Sequence, residues 1–540
     1  VNDLIWIGPA LIFGILATRL GLPPMVGYLI GGFILNVFDF GDADDLKRMG
    51  DLGVTLLLFT IGLKLDVRSL LKPYVWAGAT LHMAIVVVVF GIALFWISLT
   101  GLSLFAGVDF TIALLIAFAL SFSSTVFAVK TLEEKGEMYS RHGKIAIGIL
   151  IMQDIFAVVF LAASTGKIPT IWAFALFGFL PLRPVLMRLL TRAGHGELLI
   201  LYGLALSFGV WTVFDLVGVK GDLGSLFIGA LLAAHPSAAE MSKKLMGFKD
   251  LLLVSFFLSI GTAGEITIPV LLIALLLALA VSVKVTLYCL IMELFRLRAR
   301  TSVLVSLNLA NYSEFGLIVG AVALGNGWLS GDWLVVIALA LTMTFIVASP
   351  LNVRANKIYA AVQRFVNRLE KPTPWPEDLP ISPGEARIAI IGMARLGTGA
   401  YETLKAQYGD VLIGASSDPA IVERHRAAGR NVILADVTDD DFWSRAREGK
   451  VKIVLLAMRE YEENLGVANR IQEITGDDAY IFAVADYPEQ VEMYQAAGVD
   501  AVWDFDTEAG TGFAKKVILH LGDDWNRSSL HDTEQAGKPT

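Results

Sequence analysis

Long apolar runs fill the chain as far as about residue 350, and from about residue 385 short apolar runs alternate with polar segments. A helix of roughly 20 apolar residues spans a bilayer, and about thirteen such spans can be laid along the first part. They lie near 3–20, 22–38, 50–66, 73–98, 106–130, 143–165, 168–190, 197–217, 221–235, 245–261, 267–295, 299–324 and 331–352. Three spans are interrupted at mid-depth by an ionisable residue: Asp154 in 145–163, Lys284 in 271–294 and Glu314 in 302–324. A charge there costs several kcal/mol unless it faces a cavity, a partner or an ion. Charges of both signs so placed read as an ion or proton pathway.

Lysine and arginine orient the spans. With the first span starting outside, the inside loops carry Arg19, Lys64, Arg68, Lys72, Lys130, Lys135, Arg141, Lys144 and the basic clusters in 183–192, 243–249 and 296–300. The outside loops carry only Lys47, Arg48, Lys167 and Lys220. That asymmetry places the N-terminus outside and the part after residue 352 in the cytoplasm. Charged residues are 17% of the chain, against about 25% in soluble proteins. The net charge of −8 averages two unlike halves and offers no basic patch for nucleic acid. Cys289 is the single cysteine, which excludes an intramolecular disulfide and a cysteine-rich metal site. The first apolar run lacks a basic leader and a small-residue cleavage site and reads as a retained span.

An internal repeat is visible. Ile30-Gly31 and Ile228-Gly229 lie in similar apolar contexts, as do Ile61-Gly62 and Ile260-Gly261, and the two matches keep nearly one register. An odd number of spans between copies inverts one relative to the other, the plan of secondary transporters with broken helices at mid-membrane. Ser121-Phe-Ser123-Ser124-Thr125 in the fifth span and Asn308-Leu-Ala-Asn311-Tyr-Ser313-Glu314 in the twelfth are the polar stretches where helices would break and cross. Ordinary small-residue packing is the alternative for the serines. Carboxylates, hydroxyls and carbonyls are the oxygen donors that hard monovalent cations need.

After a proline-rich stretch at 371–380, six strands are expected near 387–391, 410–414, 431–435, 452–457, 479–484 and 501–503, alternating with helices. This rhythm predicts a doubly wound parallel sheet. Gly392-Met-Ala394-Arg395-Leu396-Gly397 is a strand-to-helix turn of the kind that meets nucleotide phosphates, with alanine in place of the middle glycine. Ser416 and Ser417 stand where an acidic ribose ligand would be expected, and Asp418 is suited to capping the next helix. The divisions expected are a transporter domain at 1–352, a linker at 353–384, a nucleotide-binding domain at 385–522 and a disordered tail at 523–540.

Ile61-Gly-Leu-Lys-Leu-Asp66, Ser123-Ser-Thr125, Gln153-Asp154 within Gly148–Asp154, and Ser313-Glu314-Phe315 resemble the Kef family of bacterial glutathione-gated potassium efflux systems. The later part resembles the RCK (KTN) regulatory domain, with Ala435-Asp436-Val437-Thr438 similar to that family's stretch near the adenine. The resemblance implies a thirteen-helix protomer in a homodimer of the bacterial inner membrane, moving by an elevator-like alternation. It implies that Asp154 binds cation and proton in turn, with Gln153, Ser123, Ser124, Thr125, Lys284 and Glu314 around it, and that Lys284 pairs with Asp154 or another acid when the site is empty. Gln153 in place of a second acid implies electroneutral exchange. Gly392, Ala394, Arg395, Leu396, Gly397, Ser416, Ser417, Asp436 and Val437 would hold a regulatory nucleotide: AMP, ADP or ATP in preference to NAD(H).

The expected function is therefore regulated potassium/proton antiport, not enzymatic catalysis, with glutathione a further regulator implied only by the resemblance. Sodium/proton exchange stays open, since ion choice is not readable from sequence. A ligand-gated potassium channel is the alternative from another class, but no Thr-Val-Gly-Tyr-Gly-like filter is present. Basic inside loops at 130–144 and 243–249 and the acids Asp439-Asp440-Asp441 suggest an electrostatic restraint of the transporter by the soluble domain.

Overall fold

The computed structural model describes residues 6–521 apart from 21–23, 38–42, 64–69, 139, 165–169, 171–172, 174–175, 177, 220, 262–266, 372, 376–377, 379–382, 449 and 459–460. The expected tail at 523–540, and Lys64 to Asp66 of the Ile61–Asp66 motif, lie outside the described residues. The chain divides into two compact units: Val1–Thr131 with His142–Asp378, and Leu132–Arg141 with Leu379–Thr540.

The first unit is helical. It comprises α1 (Ile7–Arg19), α2 (Pro24–Val37), α3 (Ala43–Leu63), α4 (Pro73–Ser98), α5 (Phe110–Ser121), α6 (Thr125–Glu134), α7 (Arg141–Ser164), α8 (Phe179–Ala193), α9 (Glu197–Leu216), α10 (Gly221–Leu232), α11 (Ala238–Gly261), α12 (Ile268–Leu294), α13 (Ala299–Asn308), α14 (Glu314–Gly325), α15 (Gly331–Val353) and α16 (Ala355–Val366). Among the described residues, α4, α7, α9, α12 and α15 are long and apolar enough to cross a membrane by themselves. α5 with α6, and α13 with α14, are pairs of half-length helices that break where the polar stretches predict.

The repeat is visible in the packing. An added Cβ on Gly62 of α3 would lie 2.4 Å from the Leu226 carbonyl of α10, and one on Gly229 of α10 would lie 2.3 Å from the Phe59 carbonyl of α3. At the counterpart position, an added Cβ on Gly31 of α2 would lie 3.3 Å from the Leu258 side chain of α11 and 3.4 Å from the Pro9 backbone of α1. Phe59 and Leu258 hold matching places in the two copies. Glycine at these points lets backbones touch, the usual basis of helix association in lipid.

Beyond α16 the chain folds back on the turn between α12 and α13. Glu370 accepts the Ala299 N–H at 3.1 Å, while Asp378 accepts the Arg298 N–H and the Thr301 hydroxyl, both at 2.7 Å. Two carboxylates thus satisfy orphan donors at the N-terminus of α13. The Trp375 indole donates to the Phe295 carbonyl at 2.8 Å and packs edge-on against Tyr74. This part of the proline-rich stretch is a docked strap, not a free spacer.

The second unit carries the expected sheet: β1 (Ile388–Ile391), β2 (Leu412–Ser416), β3 (Val432–Leu434), β4 (Ile453–Leu456), β5 (Tyr480–Ala485) and β6 (Ala501–Asp504). All pairings are parallel and the order is β3-β2-β1-β4-β5-β6. Helices α17 (Arg395–Tyr408), α18 (Pro419–Ala427), α19 (Asp440–Glu448), α20 (Tyr461–Thr475), α21 (Pro488–Ala496) and α22 (Phe505–Leu521) make the connections and the end. The reversal between β1 and β4 opens the crevice where ligands of such sheets bind.

Candidate ion site and nucleotide turn

The breaks in the two split helices are held by each other. The Ser124 N–H donates to Asn311 Oδ1 at 2.7 Å and the Ser123 hydroxyl donates to the Leu309 carbonyl at 3.0 Å. Gly316 makes the crossing possible, because an added Cβ would lie 2.3 Å from the Ala119 carbonyl of α5. Ser124 Oγ accepts the Phe127 N–H and caps α6, and Ser313 Oγ accepts the Phe315 N–H and caps α14. The two serines are thus symmetry-matched caps for the second half of each broken helix.

Asp154 lies on α7 with 1% of its surface exposed. The Thr125 hydroxyl, first residue of α6, donates to its carboxylate at 3.2 Å to Oδ2 and 3.4 Å to Oδ1. Of the three neighbouring hydroxyls, Thr125 is the one directed at Asp154. Gln153 is fully engaged elsewhere. Its Oε1 accepts the Ser123 N–H at 2.9 Å, and its Nε2 donates to the Tyr288 hydroxyl at 2.6 Å and the Ser121 carbonyl at 3.3 Å. Its amide braces the first break.

Lys284, on α12, does not pair with Asp154 among the described residues. Its ammonium donates to the carbonyls of Leu120 (3.2 Å), Phe122 (2.7 Å) and Asn311 (3.0 Å). The Leu120 and Phe122 carbonyls lie at the C-terminal end of α5, where partial negative charge collects, and the Asn311 carbonyl lies in the break that follows α13. Three acceptors match the three N–H bonds of an ammonium, so Lys284 is a built-in cation stitched into both breaks. Glu314 opens α14 with 2% exposure. The helix N-terminus there suits a carboxylate, and Ser313 donates to its Oε2 at 3.4 Å while Oε1 has no hydrogen-bond partner.

Two residues of this network escape sequence reading. Tyr288, on α12, holds Gln153, and the His82 ring of α4 stacks on it at 3.3 Å between centroids. His82 Nε2 lies 3.3 Å from the Lys284 carbonyl, so that nitrogen is the donor. The one available signal was a histidine and a tyrosine inside apolar runs, which is weak by itself.

In the second unit, Gly392 has a φ of +95°, and an added Cβ would lie 2.6 Å from Ala457 and the Met458 nitrogen at the end of β4. Gly397 packs α17 onto the turn, its added Cβ overlapping the Gly392 carbonyl. Ala394 sits at the N-cap without a side-chain cap, followed by Arg395 and Leu396 in the first turn of α17. That leaves helix amides for an anion. Ser416 Oγ accepts the Asp418 N–H, and Asp418 caps α18 through the Ala420 N–H as expected. Ser417 follows β2, and Val437 is buried beside Asp436. Asp436 Oδ1 accepts both the backbone N–H (2.9 Å) and the hydroxyl (2.6 Å) of Thr438.

A helical unit with two crossed, broken helices around a buried carboxylate, joined to a parallel nucleotide-type sheet, defines a cation exchanger with an appended regulatory domain. Residues 7–353 match the sodium/hydrogen exchanger transmembrane family, and the chain belongs to it. Residues 388–504 match the TrkA-N domain. The chain is similar to the glutathione-regulated potassium-efflux system protein KefC of Salmonella schwarzengrund, 28% identical over 526 residues covering 92% of this chain and 81% of that protein. The KefC protein of Salmonella paratyphi B is 29% identical over 525 residues, with the same coverages. The solved sodium proton antiporter MjNhaP1 from Methanocaldococcus jannaschii superposes with a TM-score of 0.48 at 14% identity, covering 68% of this chain and 100% of that one. The chain is thus a membrane cation/proton antiporter of the sodium/hydrogen exchanger family carrying a TrkA-N regulatory domain, similar in both parts to the potassium-efflux relatives.

Proposed function

We propose that the exchanged cation is potassium, that exchange is electroneutral, and that a nucleotide on the second unit controls it. The observation carrying this reading is the division of labour at the crossing: Gln153 and Lys284 are committed to holding the breaks, while Asp154 receives one long hydroxyl contact from Thr125. Asp154 is then the group that alternates between a proton and a cation, with Thr125 and freed backbone carbonyls as further oxygen ligands. One proton leaves as one cation enters, and the loaded site is neutral either way. An empty, charged Asp154 crosses poorly, which makes exchange obligatory. An elevator-like movement of the crossing past the rest of the unit fits this scheme.

Potassium is favoured over sodium by the similarity to the potassium-efflux relatives, whose name also supports glutathione as a regulator; a homodimer in the bacterial inner membrane completes the proposal. The turn at Gly392–Gly397 and the exposed start of α17 favour an adenine nucleotide, AMP, ADP or ATP before NAD(H), with Asp436 and Val437 toward the base. The deciding experiment is ion-driven proton movement in proteoliposomes with K⁺, Rb⁺ and Na⁺ compared. K⁺ and Rb⁺ are expected to drive it at least about tenfold better than Na⁺ at equal concentration. A preference for Na⁺ would overturn the potassium assignment and leave the exchanger class standing.

A further inference from the structure

The segment Leu132–Arg141, made of the end of α6, the turn after it and the first residue of α7, belongs to the compact unit that contains the nucleotide-type sheet. Three features fix it there. Gly136 has a φ of +64°, and an added Cβ would lie 2.4 Å from the Glu462 carbonyl at the start of α20. Gly466, one turn on, faces the Lys135 carbonyl with a would-be Cβ at 2.6 Å. Each segment therefore uses a glycine where it lies against the other's backbone. Next, Glu137 Oε1 pairs with Arg470 Nη2 at 3.1 Å, with side chains only 6% and 14% exposed, and Arg470 also donates to the Thr438 carbonyl. Last, the Arg141 backbone N–H, first of α7, donates to Asp436 Oδ2 at 2.6 Å.

Charge is complementary in both directions. The basic loop contributes its acid, Glu137, and the sheet unit contributes a base, Arg470. Asp436 supplies a carboxylate to the N-terminus of α7, where helix partial charge favours one, and α7 is the helix that carries Gln153 and Asp154. The preceding helix, α6, begins with Thr125.

We propose that Leu132–Arg141 is a coupling latch: the surface formed by Asp436, Arg470 and the first turns of α20 binds it, and thereby sets where α6 and α7 hold Thr125 against Asp154. A ligand that engages the Asp436 carboxylate shares that group with the α7 N-terminus, so ligand and latch are energetically linked. This inference rests on the exchanger reading but not on the identity of the cation or on the direction of control.

The test is a charge swap in the full-length protein. Glu137→Arg and Arg470→Glu are each expected to change the K⁺-driven exchange rate in proteoliposomes by about fivefold, in the same direction, and the double variant to return it to within about twofold of the unsubstituted protein. Glu137→Gln and Arg470→Lys give milder versions should a reversal prevent folding. Hydrogen exchange supplies an activity-independent readout. Amides in 132–141 are expected to be protected in the unsubstituted protein, to lose protection in each single reversal and to regain it in the double. Effects that merely add, or full-rate exchange of 132–141 in the unsubstituted protein, would overturn the latch. Absence of any exchange in the unsubstituted protein, with 132–141 still protected and the protection swap intact, would instead count against the transport reading and support the latch as a docking contact.

Discussion

Asp154 was legible as soon as the apolar runs were drawn, because a carboxylate in the middle of such a run has few inexpensive explanations. The roles of its neighbours were not. Gln153, Ser124 and Ser313 occupy motif positions, but their side chains serve the backbone as brace and caps. The caps act locally, but the brace depends on Tyr288, 135 residues from Gln153, which no local pattern announces. Two outcomes follow at this scale. Tyr288→Phe removes the acceptor of Gln153 Nε2 and leaves a buried donor unsatisfied, a cost of about 1–3 kcal/mol. It is expected to raise the cation concentration for half-maximal exchange roughly 5- to 150-fold by loosening the first break, measured by titrating the cation at fixed pH. Lys284→Ala strips three buried carbonyls of their donor. It is expected to lower the thermal midpoint of the purified protein clearly, whereas Asp154→Asn leaves that midpoint nearly unchanged. Equal midpoints for Lys284→Ala and the unsubstituted protein would show that the lysine does not hold the breaks.

At the scale of elements, the six strands and both helix breaks fall close to where the sequence puts them. Alternation of short apolar runs fixes parallel strands, and hydroxyl or amide clusters mark where a membrane helix can open. What was not legible is how tightly the pieces approach. Gly316 reads as one glycine among many until its place against Ala119 is seen, and the strap at 370–378 reads as a spacer until Glu370 and Asp378 are found on α13. Gly316→Val would force α5 and α14 apart and is expected to abolish exchange, while Gly320→Ala, whose new Cβ meets only side-chain ends at 3.0 Å and 3.5 Å, is expected to retain most of it. Comparable transport rates for the two would deny the close crossing. Gly397→Asp is expected to remove nucleotide binding to the full-length protein by calorimetry, since the turn it packs against cannot keep its shape.

For the whole molecule, the two units have different histories in the sequence reading. Both were recognisable as separate bodies from composition alone, but the boundary was not, because the strap and the Leu132–Arg141 segment each join the unit that sequence order does not suggest. Truncation makes the distinction measurable. A chain ending after residue 384 keeps the carboxylates that cap α13 and is expected to exchange ions with raised basal activity. A chain ending after residue 366 loses Glu370 and Asp378 and is expected to be less stable and less active. If both truncations behave alike, the strap has no structural role. If the longer one is no more active than the full chain, the second unit is not an inhibitor.

The central claim is that one carboxylate, Asp154, carries proton and cation in turn with no net charge moved. A rapid K⁺ jump on proteoliposomes, with internal pH and membrane current recorded together, tests it most directly. The unsubstituted protein is expected to show a sustained pH change without steady current, and Asp154→Asn neither. A steady current that reverses with voltage, or a pH change that persists in Asp154→Asn, would contradict the account.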